Sequence, residues 1–228
     1  MLNRKSDIYI LYLYTALAVL YIVLFRILDW HSTLNPWFKT LPIWILAAVA
    51  LRRMPALPGG WALCAGILFG SAGDFILSSP ELPNHFLLGL ILFLVGHIFY
   101  VISFLHTFQW QNRAVIPLLL LSALVTALAL YLFPRIPANL QIAVMAYIGV
   151  IFAMNGAALL RRSPWPAVIA GALCFLLSDS LIALQKFGDF NFSWPWVMLT
   201  YYPAQFLILF GSISDAELAT LDSRATQG

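Results

Sequence analysis

Long blocks of apolar residues constrain the fold more than any other feature of this sequence. Stretches such as IYILYLYTALAVLYIVLF and GLILFLVGHIFYVISF contain no Asp, Glu, Lys or Arg. Charged residues make up only 9% of the chain, against roughly 25% in a soluble domain. A membrane β-barrel would show segments of about ten alternating residues, and this sequence has none. The blocks therefore predict an all-α fold, a polytopic bundle of membrane-spanning helices.

The blocks predict about eight transmembrane helices in a single domain, residues 1–214, followed by a short polar cytoplasmic tail, residues 215–228. The first block is interpreted as an uncleaved span, because no small-residue cleavage site precedes Arg26. The second block is short and contains Pro42, which predicts a kinked or partly interfacial helix. The predicted spans are 8–27, 37–51, 61–78, 84–107, 114–133, 138–160, 165–185 and 194–213.

The basic residues predict how the bundle is oriented. The side that holds the N-terminus carries Arg4, Lys5, Arg52, Arg53, Arg113, Arg161, Arg162 and Arg224, and the other side carries Arg26, Lys39, Arg135 and Lys186. Basic residues are enriched in cytoplasmic connections, so both termini are predicted to be cytoplasmic. The expected location is a multi-pass position in a membrane, the inner or plasma membrane if the source is bacterial.

The charged residues, cysteines and histidines indicate which partners and ligands the chain can bind. A net charge of +3 distributed among the connections predicts contacts with membrane lipids and no binding of nucleic acid. Cys64 and Cys174 lack paired spacing, and His97 is the only histidine deep in a predicted span. The sequence therefore predicts no metal site and no cofactor.

Two aspartates lie inside predicted spans, where acidic side chains are rare. Asp74 lies in FGSAGDFILSSP, and Asp179 lies in CFLLSDSLIALQKF. A carboxylate in hydrocarbon is costly unless it is paired, protonated or hydrated, and intramembrane acids are commonly functional. Both are predicted in the outer half of the bilayer, one kept protonated and the other ionised, as an acid and base pair. Structural roles remain open, such as pairing of Asp179 with Lys186 or hydrogen bonds from Ser178 and Ser180.

Five further polar side chains are predicted to bind substrate near these acids. Some also have a structural interpretation: the lysine can reach the headgroups instead of holding a phosphate, the tyrosines can belong to an interfacial belt, and the histidine can be a core residue. These residues are Lys39, His97, Tyr201, Tyr202 and Gln205.

Six segments together resemble one known family. In order, they are FKTLPIWIL, FGSAGDFILSSP, GLILFLVGHIFYVISF, AYIGVIFAMNGAALL, AGALCFLLSDSLIALQKF and TYYPAQFLILFGSI. Their order and spacing from about Lys39 to Ser212 resemble the YhhN-like lysoplasmalogenases, a family of eight-span membrane proteins. The chain departs from the common Lys-Pro-Leu motif, since it has Lys39-Thr40-Leu41-Pro42.

The resemblance implies an enzyme that hydrolyses the vinyl ether bond of a lysophospholipid, a lysoplasmalogen, into a fatty aldehyde and a glycerophosphoethanolamine or glycerophosphocholine. By the same resemblance, Asp74 and Asp179 match the acids thought to be catalytic. The drier predicted surroundings of Asp179 favour it as the proton donor.

Other function classes remain open at the level of sequence. Paired intramembrane acids also suit a proton-coupled transporter of a small molecule or lipid. A non-catalytic lipid-binding protein would tolerate neutral replacements of both acids. A zinc-dependent lipid amidase is disfavoured by the scarcity of intramembrane histidines.

Overall fold

The computed structural model describes residues 4–28, 32–162, 166–190 and 195–225. Within these ranges the chain is helical apart from turns and one isolated bridge, so the predicted all-α class is confirmed. Short 3₁₀ or π turns join several of the helices. The α-helices are α1 Arg4–Ile22, α2 Asn35–Arg53, α3 Gly60–Leu77, α4 His85–Leu105, α5 Val115–Leu132, α6 Ala138–Leu159, α7 Ala167–Phe187 and α8 Trp196–Ala225.

Among the described residues, six helices, α3 to α8, are long and apolar enough to cross a membrane, which makes the chain an integral multi-pass membrane protein. Helix α1 contributes a shorter apolar helical segment, Tyr9–Phe25. Helix α2 is 19 residues long, is not interrupted at Pro42, and ends with Arg52 and Arg53. That α1 and α2 also span, and that both termini are cytoplasmic, stay predictions.

Most of the segment predicted as a short polar tail, residues 215–228, belongs to a helix. Helix α8 continues without a break to Ala225. Asp215 is buried against Arg161, with 3.3 Å between a carboxylate oxygen and a guanidinium nitrogen. Glu217 lies 3.7 Å from Arg53. These ion pairs give the extra turns tertiary partners, which the polar composition of the segment does not reveal.

Glycines on α3 and α4 let these two helices approach closely. A Cβ atom added at Gly66 would lie 2.8 Å from the ring of Tyr100, and one at Gly73 would lie 2.7 Å from the ring of Phe93. On α4, a Cβ at Gly96 would lie 3.1 Å from the backbone oxygen of Gly66. Small residues at these positions therefore set the α3–α4 distance, as they do at many membrane helix interfaces. This packing fixes where the polar side chains of α3 and α4 point.

The centre of the bundle contains aromatic rings as well as aliphatic side chains. Phe175 of α7 packs edge-on against His97 of α4 and Tyr201 of α8, with ring centroids 4.7 and 5.4 Å apart. Phe93 of α4 contacts both His97 and Tyr201. Phe175 is fully buried and Phe93 almost so. These two phenylalanines separate the polar groups of the candidate site into two clusters.

Candidate functional site

The first cluster is centred on Asp74, near the end of α3. The Asp74 carboxylate is buried, and the Lys39 ammonium of α2 lies 3.0 Å from its Oδ1. Both side chains are at least nine-tenths buried. Lys39 therefore does not extend to the headgroups, and the interpretation of it as a headgroup-contacting lysine is wrong. A buried acid with a cation this close is held in its ionised form.

A chain of hydrogen bonds from α4 and α8 leads to Asp74. The Tyr100 hydroxyl donates to Gln205 Oε1, and Gln205 Nε2 donates to the Tyr201 hydroxyl over 3.1 Å. The Tyr201 hydroxyl lies beside Asp74. The chain of hydrogen bonds therefore links Tyr100 of α4 to Tyr201 of α8, next to the carboxylate.

The tyrosines of α8 are core residues rather than members of an interfacial belt. Tyr201 and Tyr202 are both only 2% exposed. The Tyr202 hydroxyl donates to the backbone oxygen of Lys39 over 3.0 Å, and the Tyr14 hydroxyl donates to the backbone oxygen of Tyr202. Tyr202 therefore ties α8 to the backbone of α2 beside the Lys39–Asp74 pair. The belt interpretation of these two side chains is wrong.

The second cluster is centred on Asp179 of α7. The Tyr147 hydroxyl of α6 donates to Asp179 Oδ2 over 2.6 Å, and His97 Nε2 lies 3.5 Å from the same oxygen. His97 Nδ1 lies 2.7 Å from the backbone oxygen of Phe93, which can only accept a hydrogen bond. Nδ1 therefore carries a hydrogen, and in a neutral ring Nε2 directs its lone pair at Asp179.

The neighbouring side chains that could have paired with Asp179 form other contacts. Ser178 donates to the backbone oxygen of Val197, and Ser180 donates to that of Leu176. The Lys186 ammonium lies 5.0 Å from the ring centroid of Phe86. The predictions of serine donors and of an Asp179–Lys186 pair are wrong, because these side chains are satisfied within their own surroundings.

Asp179 faces an apolar cavity formed by α4, α5, α6 and α7, together with the end of α3. The cavity has an empty volume of about 680 Å³. Its polar lining residues are Asp179, Tyr147 and Ser180, and Ser180 points to its own helix backbone. The apolar lining residues are Leu77, Phe86, Leu90, Phe93, Val125, Leu128, Leu132, Val144, Ile148, Ile151, Leu176, Ile182, Ala183 and Phe187. A single hydrocarbon chain beside one acid suits this composition.

The predicted residues thus form two neighbouring clusters instead of one shared cavity. Asp179 lines the cavity, whereas Asp74, Lys39, His97, Tyr201, Tyr202 and Gln205 are not among its lining residues. Phe93 belongs to the cavity wall and also contacts Tyr201, so a single ring lies between the cavity and the Asp74 cluster.

Tyr147 is the site residue that sequence reasoning missed. It lies in the AYIGVIFAMNGAALL segment, one of the six that carry the family resemblance. Val144, Tyr147 and Ile151 recur at helical spacing, and all three line the cavity. That spacing could have marked the inward face of α6. The partner of Tyr147 lies 32 residues away on another helix, which spacing does not reveal.

Within the described ranges, no three His, Cys, Asp or Glu side chains gather into a group able to hold a metal ion. The polar groups of the two clusters include two carboxyls, an ammonium, an imidazole and the phenols of Tyr100, Tyr147, Tyr201 and Tyr202.

Comparison with known proteins places the chain in a family. The family model described as the YhhN family matches residues 34–212, a range that contains both aspartates and all five predicted substrate-binding residues. The chain belongs to the YhhN family. The resemblance inferred from the six sequence segments is thereby confirmed.

Curated relatives of this YhhN family member carry enzyme names. It is 31% identical to the Homo sapiens protein named lysoplasmalogenase TMEM86A over 199 residues, which is 83% of this chain and 81% of the relative. It is 32% identical to a Mycobacterium bovis protein named lysoplasmalogenase, over 79% of this chain and 71% of that protein. A Mus musculus protein, lysoplasmalogenase TMEM86B, is 29% identical over 88% of this chain. No solved structure gives a significant match.

Proposed function

We propose that this YhhN family member is a membrane-embedded hydrolase that cleaves the vinyl ether bond of a lysoplasmalogen. The products are a fatty aldehyde and a glycerophosphoethanolamine or glycerophosphocholine. The observation that carries the proposal is the Asp179 carboxyl, which faces a cavity suited to a hydrocarbon chain and contacts Tyr147 and His97. The names of the curated relatives support the same reaction.

Asp179 is the proton donor in this mechanism. A carboxyl group in apolar surroundings favours its neutral form, and the basic group in contact with Asp179 is an imidazole that is itself buried. The neutral acid transfers its proton to the alkenyl carbon that lies one bond away from the ether-bearing carbon. The ether-bearing carbon becomes an oxocarbenium ion, and Asp179 becomes a carboxylate beside it.

Tyr147 and His97 contact Asp179 and hold it in position. The Tyr147 hydroxyl fixes the Oδ2 atom and stabilises the carboxylate that remains after proton transfer. His97 Nε2 lies 3.5 Å from the same oxygen. The Asp179 carboxylate takes up the proton that the attacking water releases, which restores the neutral acid. Tyr147 and His97 therefore act as positioning groups.

Asp74 contributes a fixed negative charge. Its ion pair with Lys39 keeps it ionised beside the phenyl wall of the cavity. From this place it stabilises the oxocarbenium ion through space and does not touch it. Water then adds to the cation, and the hemiacetal collapses with loss of the glycerol oxygen as an alcohol and release of the aldehyde.

In the membrane we propose eight spans, α1 to α8, with both termini in the cytoplasm, in the plasma membrane if the source is bacterial. Asp179 then lies in the outer half of the bilayer, and a lysophospholipid enters sideways between helices from that leaflet. The distribution of basic residues supports this orientation.

The test is aldehyde release by purified protein in detergent from 1-alkenyl-lysophosphatidylethanolamine. The matched substrates are the 1-alkyl and 1-acyl analogues, which lack the protonatable alkenyl carbon. Aldehyde from the alkenyl lipid alone supports the proposal. Cleavage of the acyl analogue instead would move the reaction to ester hydrolysis. No cleavage, with saturable uptake of lipid by sealed vesicles, would replace the enzyme by a transporter.

A further inference from the structure

A second cavity lies at the opposite end of the bundle from Asp179. It is bounded by the ends of α4 and α6, the turn before α3, and the last turns of α8, and has an empty volume of about 1470 Å³. Asp179 is twelve residues from Ala167, where α7 begins at this end. At 1.5 Å per residue, this places Asp179 about 18 Å along the helix from the cavity end. The catalytic proposal assigns no role to this cavity.

Arg161 lines this cavity although its side chain is only 5% exposed. One terminal guanidinium nitrogen pairs with Asp215 at 3.3 Å, and the guanidinium carbon lies 5.1 Å from the ring centroid of Phe104. In the described part of the chain, Nε of Arg161 has no hydrogen-bond acceptor. Burial lowers the pKa of Arg161, and Asp215 opposes that shift. A buried guanidinium with an unused donor is favourable only if a further acceptor occupies its surroundings.

Ser212 provides a second unused donor on the same cavity. It lies three residues before Asp215 on α8, and is 6% exposed. Its hydroxyl has no partner among the residues described. Arg161 and Ser212 come from different parts of the chain, yet both line the same cavity. Both residues therefore bring an unused donor to the walls of this cavity.

The charges around the cavity indicate the kind of acceptor. Arg162 and His106 line it beside Arg161, while Asp215 and Asp222 line it along α8. Two backbone hydrogen bonds of 2.7 Å hold the segment after α6 against the segment after α4. The Arg162 N–H donates to the Thr107 oxygen, and the Gln109 N–H donates to the Leu160 oxygen. The Arg162 side chain is exposed and is thus available to a group entering from outside. An anion with several oxygens can accept from Arg161, Arg162 and Ser212 together.

We propose that this cavity binds a phosphate group, carried either by a phospholipid headgroup or by a free phosphate. The phosphate oxygens accept hydrogen bonds from Arg161 Nε, the Ser212 hydroxyl and the Arg162 guanidinium. The cavity lies where the helices end, which is the depth at which headgroup phosphates lie in a bilayer. This site is independent of the proposed reaction, and it would stand if the reaction proved different.

The test measures thermal unfolding and native mass spectra of the detergent-purified protein with three probes. The probes are dioleoylphosphatidic acid, dioleoylglycerol as the same lipid without phosphate, and inorganic phosphate against chloride at equal ionic strength. The expected result is that phosphatidic acid raises the unfolding midpoint by about 4 °C at tenfold excess over its Kd, whereas dioleoylglycerol does not. A comparable rise with inorganic phosphate assigns the site to free phosphate as well, and both results support the proposal.

Two variants test whether the phosphate binds at this cavity. Arg162→Gln and Ser212→Ala are each expected to weaken phosphate binding by about tenfold. Both keep the Arg161–Asp215 pair, so the unliganded unfolding midpoint should stay near that of the wild type. The matched control is Arg52→Gln, an exposed arginine at the same end that does not line the cavity. The proposal is overturned if no probe shifts the wild-type midpoint, or if both variants respond as strongly as the control.

Discussion

At the scale of single residues, the two intramembrane acids lie in different electrostatic surroundings. Asp74 contacts the buried ammonium of Lys39, whereas Asp179 contacts a phenol and an imidazole at the edge of an apolar cavity. Such environments separate the protonation states of two otherwise identical side chains. The acid and the fixed charge of the proposed reaction follow from this difference.

Replacement of Asp179 tests the proton donor directly. Asp179→Asn keeps the shape of the side chain but removes the transferable proton, so aldehyde release should fall by about 10²–10⁴-fold. The measurement is kcat for the alkenyl lysolipid in detergent. Asp189→Asn is the control, because Asp189 is an exposed aspartate just beyond the same helix. Activity within a few-fold of wild type in Asp179→Asn would remove this residue from the mechanism.

Tyr147→Phe tests the positioning role of the phenol. The change keeps the ring in the cavity wall and deletes the hydrogen bond to Asp179. We expect kcat to fall by about tenfold or more, with little change in KM, because the lost bond matters most when Asp179 becomes charged. Tyr131→Phe is the matched control outside the cavity. A purely structural role would instead raise KM or lower the unfolding midpoint and leave kcat unchanged.

Lys39 and Asp74 are expected to depend on each other for stability. Lys39→Met leaves a buried carboxylate without its cation, which should destabilise the fold by about 3–5 kcal/mol. The double variant Lys39→Met with Asp74→Asn should recover most of that loss. Thermal unfolding in detergent measures both, and Lys186→Met serves as an exposed lysine control. Equal destabilisation in the single and double variants would mean that the pair is not coupled in stability.

At the scale of elements, close α3–α4 packing places Asp74 and His97 on opposite sides of Phe93. Small residues along α3 allow the aromatic rings of α4 to lie directly against its backbone. The rings of Phe93 and Tyr100 fill the space that side chains at Gly73 and Gly66 would need. Because α4 supplies the cavity wall as well, its distance from α3 also sets the shape of the cavity.

A valine at Gly73 tests this packing. Its Cβ would lie 2.7 Å from the Phe93 ring, so the ring must move and overpacking should cost about 1–3 kcal/mol. The control is Gly149→Ala on α6, where an added Cβ meets nothing within 4 Å. That control should be neutral, or should stabilise the helix by up to about 1 kcal/mol. Equal unfolding midpoints for Gly73→Val and wild type would contradict the packing argument.

At the scale of the whole molecule, an even number of spans places both termini on one side of the membrane. The proposed orientation then puts the α3–α4 connection outside and the α4–α5 connection inside. The two cavities lie at different depths. In the proposed orientation Asp179 is nearer the outside and Arg161 is at the inner end, so the proposed substrate chemistry and the proposed phosphate binding are separated across the thickness of the bundle.

Cysteine labelling in intact cells tests the orientation. With Cys64 and Cys174 replaced by alanine, a single cysteine at exposed Glu81 should react with a membrane-impermeant maleimide. A cysteine at exposed Asn112 should react only after the membrane is permeabilised. The reverse pattern would invert the topology. Labelling of both positions in intact cells would contradict an odd number of crossings between them.

The sequence by itself determined the helical class, the approximate helix bounds and the family, and it singled out both acids. Apolar block length is fixed by bilayer thickness, so these features can be predicted residue by residue along the chain. Only the tertiary structure decided which side chains meet. The rotation of each helix about its axis depends on packing against helices distant in sequence, as between Gly73 and Phe93. That is why Lys39 pairs with Asp74 and Tyr147 with Asp179, while the sequence neighbours of Asp179 bond to backbone instead.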